Sequence, residues 1–238
     1  MLSPDQITRA LVIQAHPDDV DFGAAGTVAH LTDAGVVVSY CLVTDGQAGG
    51  FDHTIPRTEM AAIRREEQTK AAAEVGVSDL CFLGRMDGEV VFDLSLRHDL
   101  TRVIRHVRPD VVMMHTPSIV VASVYGSHAD HVATGQATWS AVYPDARNPF
   151  AFPELLTSGY EPWTVSEMWI INHPDSNDTV DITQQFDRKI RALRCHASQH
   201  QHPEQMEGNV RAWNERNAAA GGLEPGRLAE RFFVVDSR

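Results

Sequence analysis

A chain of 238 residues, 43% hydrophobic and 22% charged, is long enough for one substantial core and too apolar for a disordered segment. Its formal net charge of −12 argues against a nucleic-acid backbone or an anionic membrane surface as partner, and no apolar run reaches the ~18 residues that a membrane helix needs. The opening "MLSPDQITRALVIQAHPDD" lacks the basic start of a secretion signal. Cys41, Cys81 and Cys195 are odd in number and far apart, so buried free thiols in a reducing cytoplasm are expected, without a disulfide framework or a cysteine-based zinc site.

In chain order, "ALVIQA" (10–15) reads as a short buried strand, and "AAGTVAHLTDAG" as a small-residue helix stopped by Gly35. "VVVSYCLVT" (36–44) is a β-branched strand ending at "DGQAGG". A helix runs from about Thr58 to Val75 with Gly76 as its stop, and "DLCFLG" is a third strand. "LSLRHDLTRVIRHV" is a helix closed by Arg108-Pro109, and "DVVMMHT" a fourth strand. This alternation predicts an α/β, Rossmann-like, mostly parallel sheet with helices on both faces and right-handed crossovers. Beyond it, "GSHADHVATGQATWSAVY" reads as a loop entering a helix, and residues 144–164 as an irregular excursion. "VSEMWIINH" is a strand, "ITQQFDRKIRALRCHASQ" a helix and "RFFVVD" a last strand; residues 201–227 are polar and read as a mobile cover. One domain is expected, with its core at about 10–200 and residues 201–238 as cover plus last strand.

Ligands of open α/β sheets bind at the carboxyl ends of the strands. The polar residues expected there are His16-Pro17-Asp18-Asp19, Thr44-Asp45-Gly46, and His115 followed by "YGSHADH". His16 and Asp19, three apart at a strand-to-helix turn, can face one centre, and His131 can join them. Two imidazoles and one carboxylate leave zinc an open position for water. Asp18 then lies beside that water without being needed as a ligand. The competing reading is plain: Asp-Asp after a strand is often a helix N-cap, and His-x-x-His is common on solvated helices.

"AHPDD", "TDGQAG", "AAIRREEQTKAAAEVGV", "RPDVVMMH" and "HADHVATG" follow one another in an order that resembles the LmbE-like, or PIG-L, family of metal-dependent N-deacetylases acting on N-acetylglucosamine-type sugars. The resemblance covers about residues 10–200, including "DITQQFDRKIRALRCHASQ". It implies a zinc-dependent deacetylase with His16, Asp19 and His131 as metal ligands and Asp18 as general base. It also implies His128 as the residue that assists the oxyanion or protonates the leaving amine, with Asp130 orienting that histidine. Ala129 stands where the family commonly has Pro, and Asp21 where it has Glu; Asp21 is left with a contact behind the ligands. Zn²⁺ is the implied metal, with Fe²⁺ open because the donors suit both. The implied partner is a small N-acetylated sugar or glycoconjugate, and trimers or hexamers are common in the family.

Three further residues are candidates for holding substrate. Arg64 matches a substrate-binding arginine by resemblance, against an ion pair within "RREE". Asp87 in "GRMDGEV" can accept from sugar hydroxyls, against an Asp-Gly turn, and Tyr125 is either an extra donor or a loop anchor. His115 reads as a packed histidine, and His196, His200 and His202 as helix end and loop. The rival functions are an amidase on a larger sugar-thiol conjugate, decided by 144–164, and a non-catalytic sugar-binding protein on the same fold.

Overall fold

The computed structural model describes residues 1–121 and 124–238. Strands β1 (Arg9–Gln14), β2 (Val37–Thr44), β3 (Asp79–Arg85) and β4 (Val111–Met114) alternate with helices α1 (Asp19–Gly23), α2 (Ala25–Asp33), α3 (Arg57–Glu74) and α4 (Leu94–Val107). After α5 (Ala129–Ser140) and α6 (Pro153–Thr157) come β5 (Glu167–Ile171), β6 (Asp178–Asp181), α7 (Phe186–Arg194), α8 (Pro203–Ala220) and β7 (Ala229–Asp236). All seven strands form one sheet in the order β3-β2-β1-β4-β5-β7-β6. The first five pair in parallel, and β7 runs antiparallel to both β5 and β6.

The strand residues divide by parity, as a sheet covered on both faces requires. Ala10 and Val12 of β1 join one layer with α2, α3 and α7, while Leu11 and Ile13 join the other with α4 and α5. The chain runs outward from β1 to β2 and β3, then returns to place β4 on the other side of β1. This reversal opens a crevice at the carboxyl ends of β1 and β4. Among the described residues no helix is long and apolar enough to cross a membrane.

Three sequence expectations change. The helix expected at 24–35 is present as α2, and the short α1 is set off before it where Ala24 leaves the helical conformation. The expected mobile cover at 201–227 contains α8, eighteen residues long, whose buried Met206, Val210, Asn214 and Ala218 recur every fourth position. Met206 and Val210 of that stripe pack with Phe186, Ile190 and Leu193 of α7, and Asn214 donates to the Ala229 carbonyl of β7 at 3.0 Å. The 144–164 excursion is tied down by Arg105, whose fully buried guanidinium donates to the carbonyls of Asp145, Ala146, Asn148 and Ala151 at 2.8–3.1 Å. The cysteines are free as expected, but only Cys41 is buried, with Cys81 and Cys195 half-buried.

Candidate active site

The turn after β1 is built on hydrogen bonds that leave little choice of shape. Both the backbone N–H and the hydroxyl of Thr44 donate to the Ala15 carbonyl at 2.9 Å. The His16 N–H donates to Asp19 Oδ2 at 2.8 Å. Between them Asp18 adopts φ 88°, ψ −28°, a left-handed conformation that aspartate tolerates better than most residues. Its N–H donates to Gln68 Oε1 at 2.8 Å, and the Gln68 amide donates in turn to Asp21 Oδ2 at 2.8 Å. His196 Nε2 lies 2.8 Å from the same Asp21 oxygen. Asp21 and His196 are both fully buried: Asp21 lies behind the turn against Gln68, and His196, in the loop at the end of α7 as expected, is its partner. Burial opposes a charged His196, but the Asp21 carboxylate outweighs it and raises the imidazole pKa.

Four ligand-type atoms of three residues converge at the crevice. His16 Nδ1 lies 3.2 Å from His131 Nε2 and 3.3 Å from Asp19 Oδ2, and His131 Nε2 lies 3.2 Å from Asp19 Oδ1. Donors ~2.0–2.1 Å from a four-coordinate zinc sit about 3.3–3.4 Å apart, so these separations suit neighbouring donors of such a site. His131 reaches it because α5 packs hard against the segment after β4. A Cβ on Gly135, one turn beyond His131, would lie 2.4 Å from the Thr116 carbonyl oxygen. That close approach stacks His131 on His115, with ring centroids 4.1 Å apart and 13° between planes.

Carboxylates dominate the surroundings of His16. His16 is surrounded by Asp19, Asp87 and Asp130; burial alone would lower its pKa, but the three carboxylates push it up to about 12. Despite its own burial, Asp19 is held well below the usual carboxylate range by His131 and His115. His16 Nε2 faces Asp130 Oδ2 at 3.0 Å and Asp87 Oδ1 at 3.1 Å, which leaves Nδ1 for a metal. A carboxylate on the far nitrogen fixes the ring and strengthens a histidine ligand. The donor set fits a divalent ion, with His16, Asp19 and His131 as candidate ligands and His128 and His115 within reach of the same atoms.

Several expected roles shift. Asp130 does not orient His128: its carboxylate takes His16 and the N–H groups of Gly88 (2.7 Å) and Val90 (3.2 Å). His128 instead caps α5, its Nδ1 accepting the Asp130 N–H at 3.2 Å. Asp87 lines the cavity, with Oδ1 facing His16 at 3.1 Å and Oδ2 accepting the Ala48 N–H at 3.0 Å. Arg64 pairs neither along its helix nor with open space. Its buried guanidinium donates to Gly46 O at 3.0 Å and to Pro17 O, and lies 3.1 Å from Asp18 Oδ2. Tyr125 is 92% exposed at the cavity rim.

His115, expected as a packed histidine, lines the site as the residue just past β4, and its place at the carboxyl end of a strand is the signal for it. Its Nε2 accepts the Ala15 N–H at 3.1 Å and lies 3.2 Å from Asp19 Oδ2. Burial lowers its pKa to about 4, so it stands neutral beside His131. For Asp18, burial raises the carboxyl to about 6 against the opposing pull of Arg64.

These groups open into one cavity of about 1010 Å³. No described lining residue comes from 144–164, the segment expected to decide substrate size. Ile171, Asn172, Gln199 and Trp213 line it instead.

The family model described as PIG-L, GlcNAc-PI de-N-acetylase, matches residues 11–142. The chain is 32% identical over 195 residues to a diacetylchitobiose deacetylase from Thermococcus kodakarensis, covering 82% of this chain and 71% of the relative. It is also 32% identical over 198 residues to a probable N-acetyl-alpha-D-glucosaminyl L-malate deacetylase from Bacillus cereus, covering 80% of this chain and 83% of the relative. The solved N,N'-diacetylchitobiose deacetylase from Pyrococcus horikoshii superposes with a TM-score of 0.89 at 31% identity, covering 98% of this chain and 85% of that one. With its crevice geometry and these matches together, the chain belongs to the PIG-L family of de-N-acetylases.

Proposed function

We propose that this protein is a zinc-dependent hydrolase that removes the acetyl group from an N-acetylated amino sugar within a larger sugar conjugate. The observation that carries the reading is the His16–Asp19–His131 triangle with the Asp18 carboxylate beside it at the floor of a cavity large enough for a glycoconjugate. An ion bound there would acidify a coordinated water toward a pKa of ~7 and polarise the acetyl oxygen. Fe²⁺ would serve the same donors.

The protein's own groups supply the rest. Asp18, raised to about 6 and held by Arg64, is poised to take the proton of the attacking water near neutral pH. His128 accepts a backbone N–H at Nδ1, which leaves Nε2–H as a donor to the developing oxyanion. Asp130, the expected partner of His128, is taken up by His16, Gly88 and Val90, so the proton for the leaving amine is assigned to Asp18. Asp18, having taken a proton, is then the group that returns it to the departing amine. Removing the His128 donor is expected to lower kcat by about 10²–10³, with metal content unchanged, since one oxyanion donor is typically worth that much.

The direct test is acetate release from N-acetylated sugars and their conjugates, with and without a chelator. Release is expected to stop on chelation and to return with added Zn²⁺ or Fe²⁺. His131→Ala and Asp19→Ala are expected to abolish bound metal and activity together. An enzyme that cleaves a longer amide while leaving every acetyl donor untouched would refute the deacetylase reading.

A further inference from the structure

The cavity has two unlike walls, on opposite faces of the sheet. Val120, Val124 and Tyr125 precede α5, whose Ala133 and Ala137 pack in the α4 layer, and they give one wall an apolar surface. The other wall belongs to the α7–α8 side, where Phe22 packs against the cluster of Met206 and Val210. It presents Phe22, Asn172, Gln199 and Trp213, with Gln14 at the end of β1 among the lining residues.

This second wall is one patch, and it is held rigidly. A Cβ on Gly23 would lie 2.6 Å from Ile171 Cγ2 and 3.4 Å from Asn172 Nδ2, so only glycine lets α1 close on the end of β5. Lys189 Nζ donates to the Phe22 carbonyl at 2.6 Å and sits 5.7 Å from the centre of the Trp213 ring. Asn172 holds φ 55°, the left-handed conformation that asparagine adopts more readily than most residues. Gln14 is 1% exposed, and its Nε2 has no hydrogen-bonding partner among the described residues. A buried donor left unpaired costs stability, so its retention beside a cavity points to a ligand acceptor.

Aromatic faces edged by amides suit a ring with apolar C–H faces and a hydroxyl rim. Charge narrows the choice. Arg64 is the only arginine or lysine among the described lining residues, and it is committed to Asp18 and to two carbonyls. Asp18, Asp19 and Asp87 line the same cavity and would repel an anionic group.

We infer that the wall of Phe22, Asn172 and Trp213, with Gln14, is a subsite for a neutral, polyhydroxylated second ring joined to the N-acetylated sugar. This rests on the deacetylase reading and selects among its substrates: a disaccharide fits and a malate conjugate does not. Asn172, Gln199 and Trp213 lie beyond residues 11–142, the segment that the family model matches.

The test is calorimetric titration of the Zn²⁺-supplemented Asp18→Asn protein with N-acetylglucosamine, N,N'-diacetylchitobiose and N-acetylglucosaminyl malate. The disaccharide is expected to bind at least about tenfold tighter than the other two, a preference of ~1.4 kcal/mol. Trp213→Ala in that background is expected to cut the disaccharide-to-monosaccharide affinity ratio at least about tenfold. Asn172→Gly, which keeps the left-handed backbone, is expected to lower it roughly threefold. Equal affinity for one ring and two, tighter binding of the malate conjugate, or variants that weaken both sugars equally would each overturn the subsite. Acetate release by the unsubstituted enzyme is read separately. If it is absent while the two-ring preference persists, the deacetylase reading fails and the subsite stands.

Discussion

Replacing Asp18 with Asn is expected to lower kcat by about 10²–10⁴ while bound metal stays at the level of the unsubstituted protein. Asparagine is the informative choice because residue 18 sits at φ 88°. Alanine there would add a left-handed strain of roughly 1–2 kcal/mol and would confuse loss of the base with distortion of the His16–Asp19 turn. The amide cannot take a proton from water, but it still occupies the space beside Arg64. The pH dependence gives a second readout. A base must be ionised to act, so the rate rises with pH through the Asp18 pKa and falls below it. That pKa is raised to about 6 by burial, and a bound cation moves it down, so the acid limb is expected at or below that value. Asp18→Asn should lose that limb as well as the rate. Full activity in Asp18→Asn, or loss of metal from it, would assign Asp18 to another task.

The largest stability effect is expected from Lys189→Met. Lys189 Nζ lies 2.6 Å from Glu230 Oε1 and 2.6 Å from the Phe22 carbonyl, and both side chains are almost wholly excluded from solvent. Glu230 also accepts the N–H groups of Gly26 at 3.0 Å and Thr27 at 2.7 Å, closing the first turn of α2. Removing the lysine leaves a buried carboxylate with only these dipoles, a loss that typically costs about 3–5 kcal/mol. For a chain of this size that corresponds to a Tm lower by roughly 6–20 °C. Lys189→Met combined with Glu230→Gln should recover much of the loss, because the glutamine carbonyl still accepts from α2 and carries no charge. Thermal unfolding in which single and double variants fall equally would show that packing, and not an unpaired charge, is responsible.

The parallel half of the sheet was legible because its strands are short β-branched runs separated by glycine-stopped helices, a pattern that few other folds share. The last third was not. The stripe of α8 consists of Met206, Val210, Asn214 and Ala218, one strong apolar residue per two turns amid polar neighbours, so its period is diluted. Strand β6 is "DTVD", four half-buried residues at a sheet edge that carry almost no apolar signal.

In the site, the pairing of His16 and Asp19 follows from a three-residue spacing at one turn. Arg64 and Asp130 misled because their partners are remote: the first crosses to Pro17 and Asp18, and the second to His16, Gly88 and Val90. Local sequence supplied nearer partners, Glu66 and Glu67 for the arginine and His128 for the aspartate. Charge neutralisation in a buried crevice outweighed proximity along the chain.

The hydrogen-bonded series from Asp18 through Gln68 and Asp21 to His196 has a consequence for modularity. It begins at the end of β1, crosses α3 and finishes beyond α7, so the shape of the catalytic turn depends on residues 178 positions apart (196 − 18). A fragment ending at residue 142, the segment that the family match covers, would keep His16, Asp18, Asp19 and His131. It would also strip His196 from a buried aspartate and leave β4 without its neighbour β5. Residues 11–142 are therefore not a transplantable unit: the residues that name the chemistry are in that part of the chain, and residues that hold them in shape are beyond it.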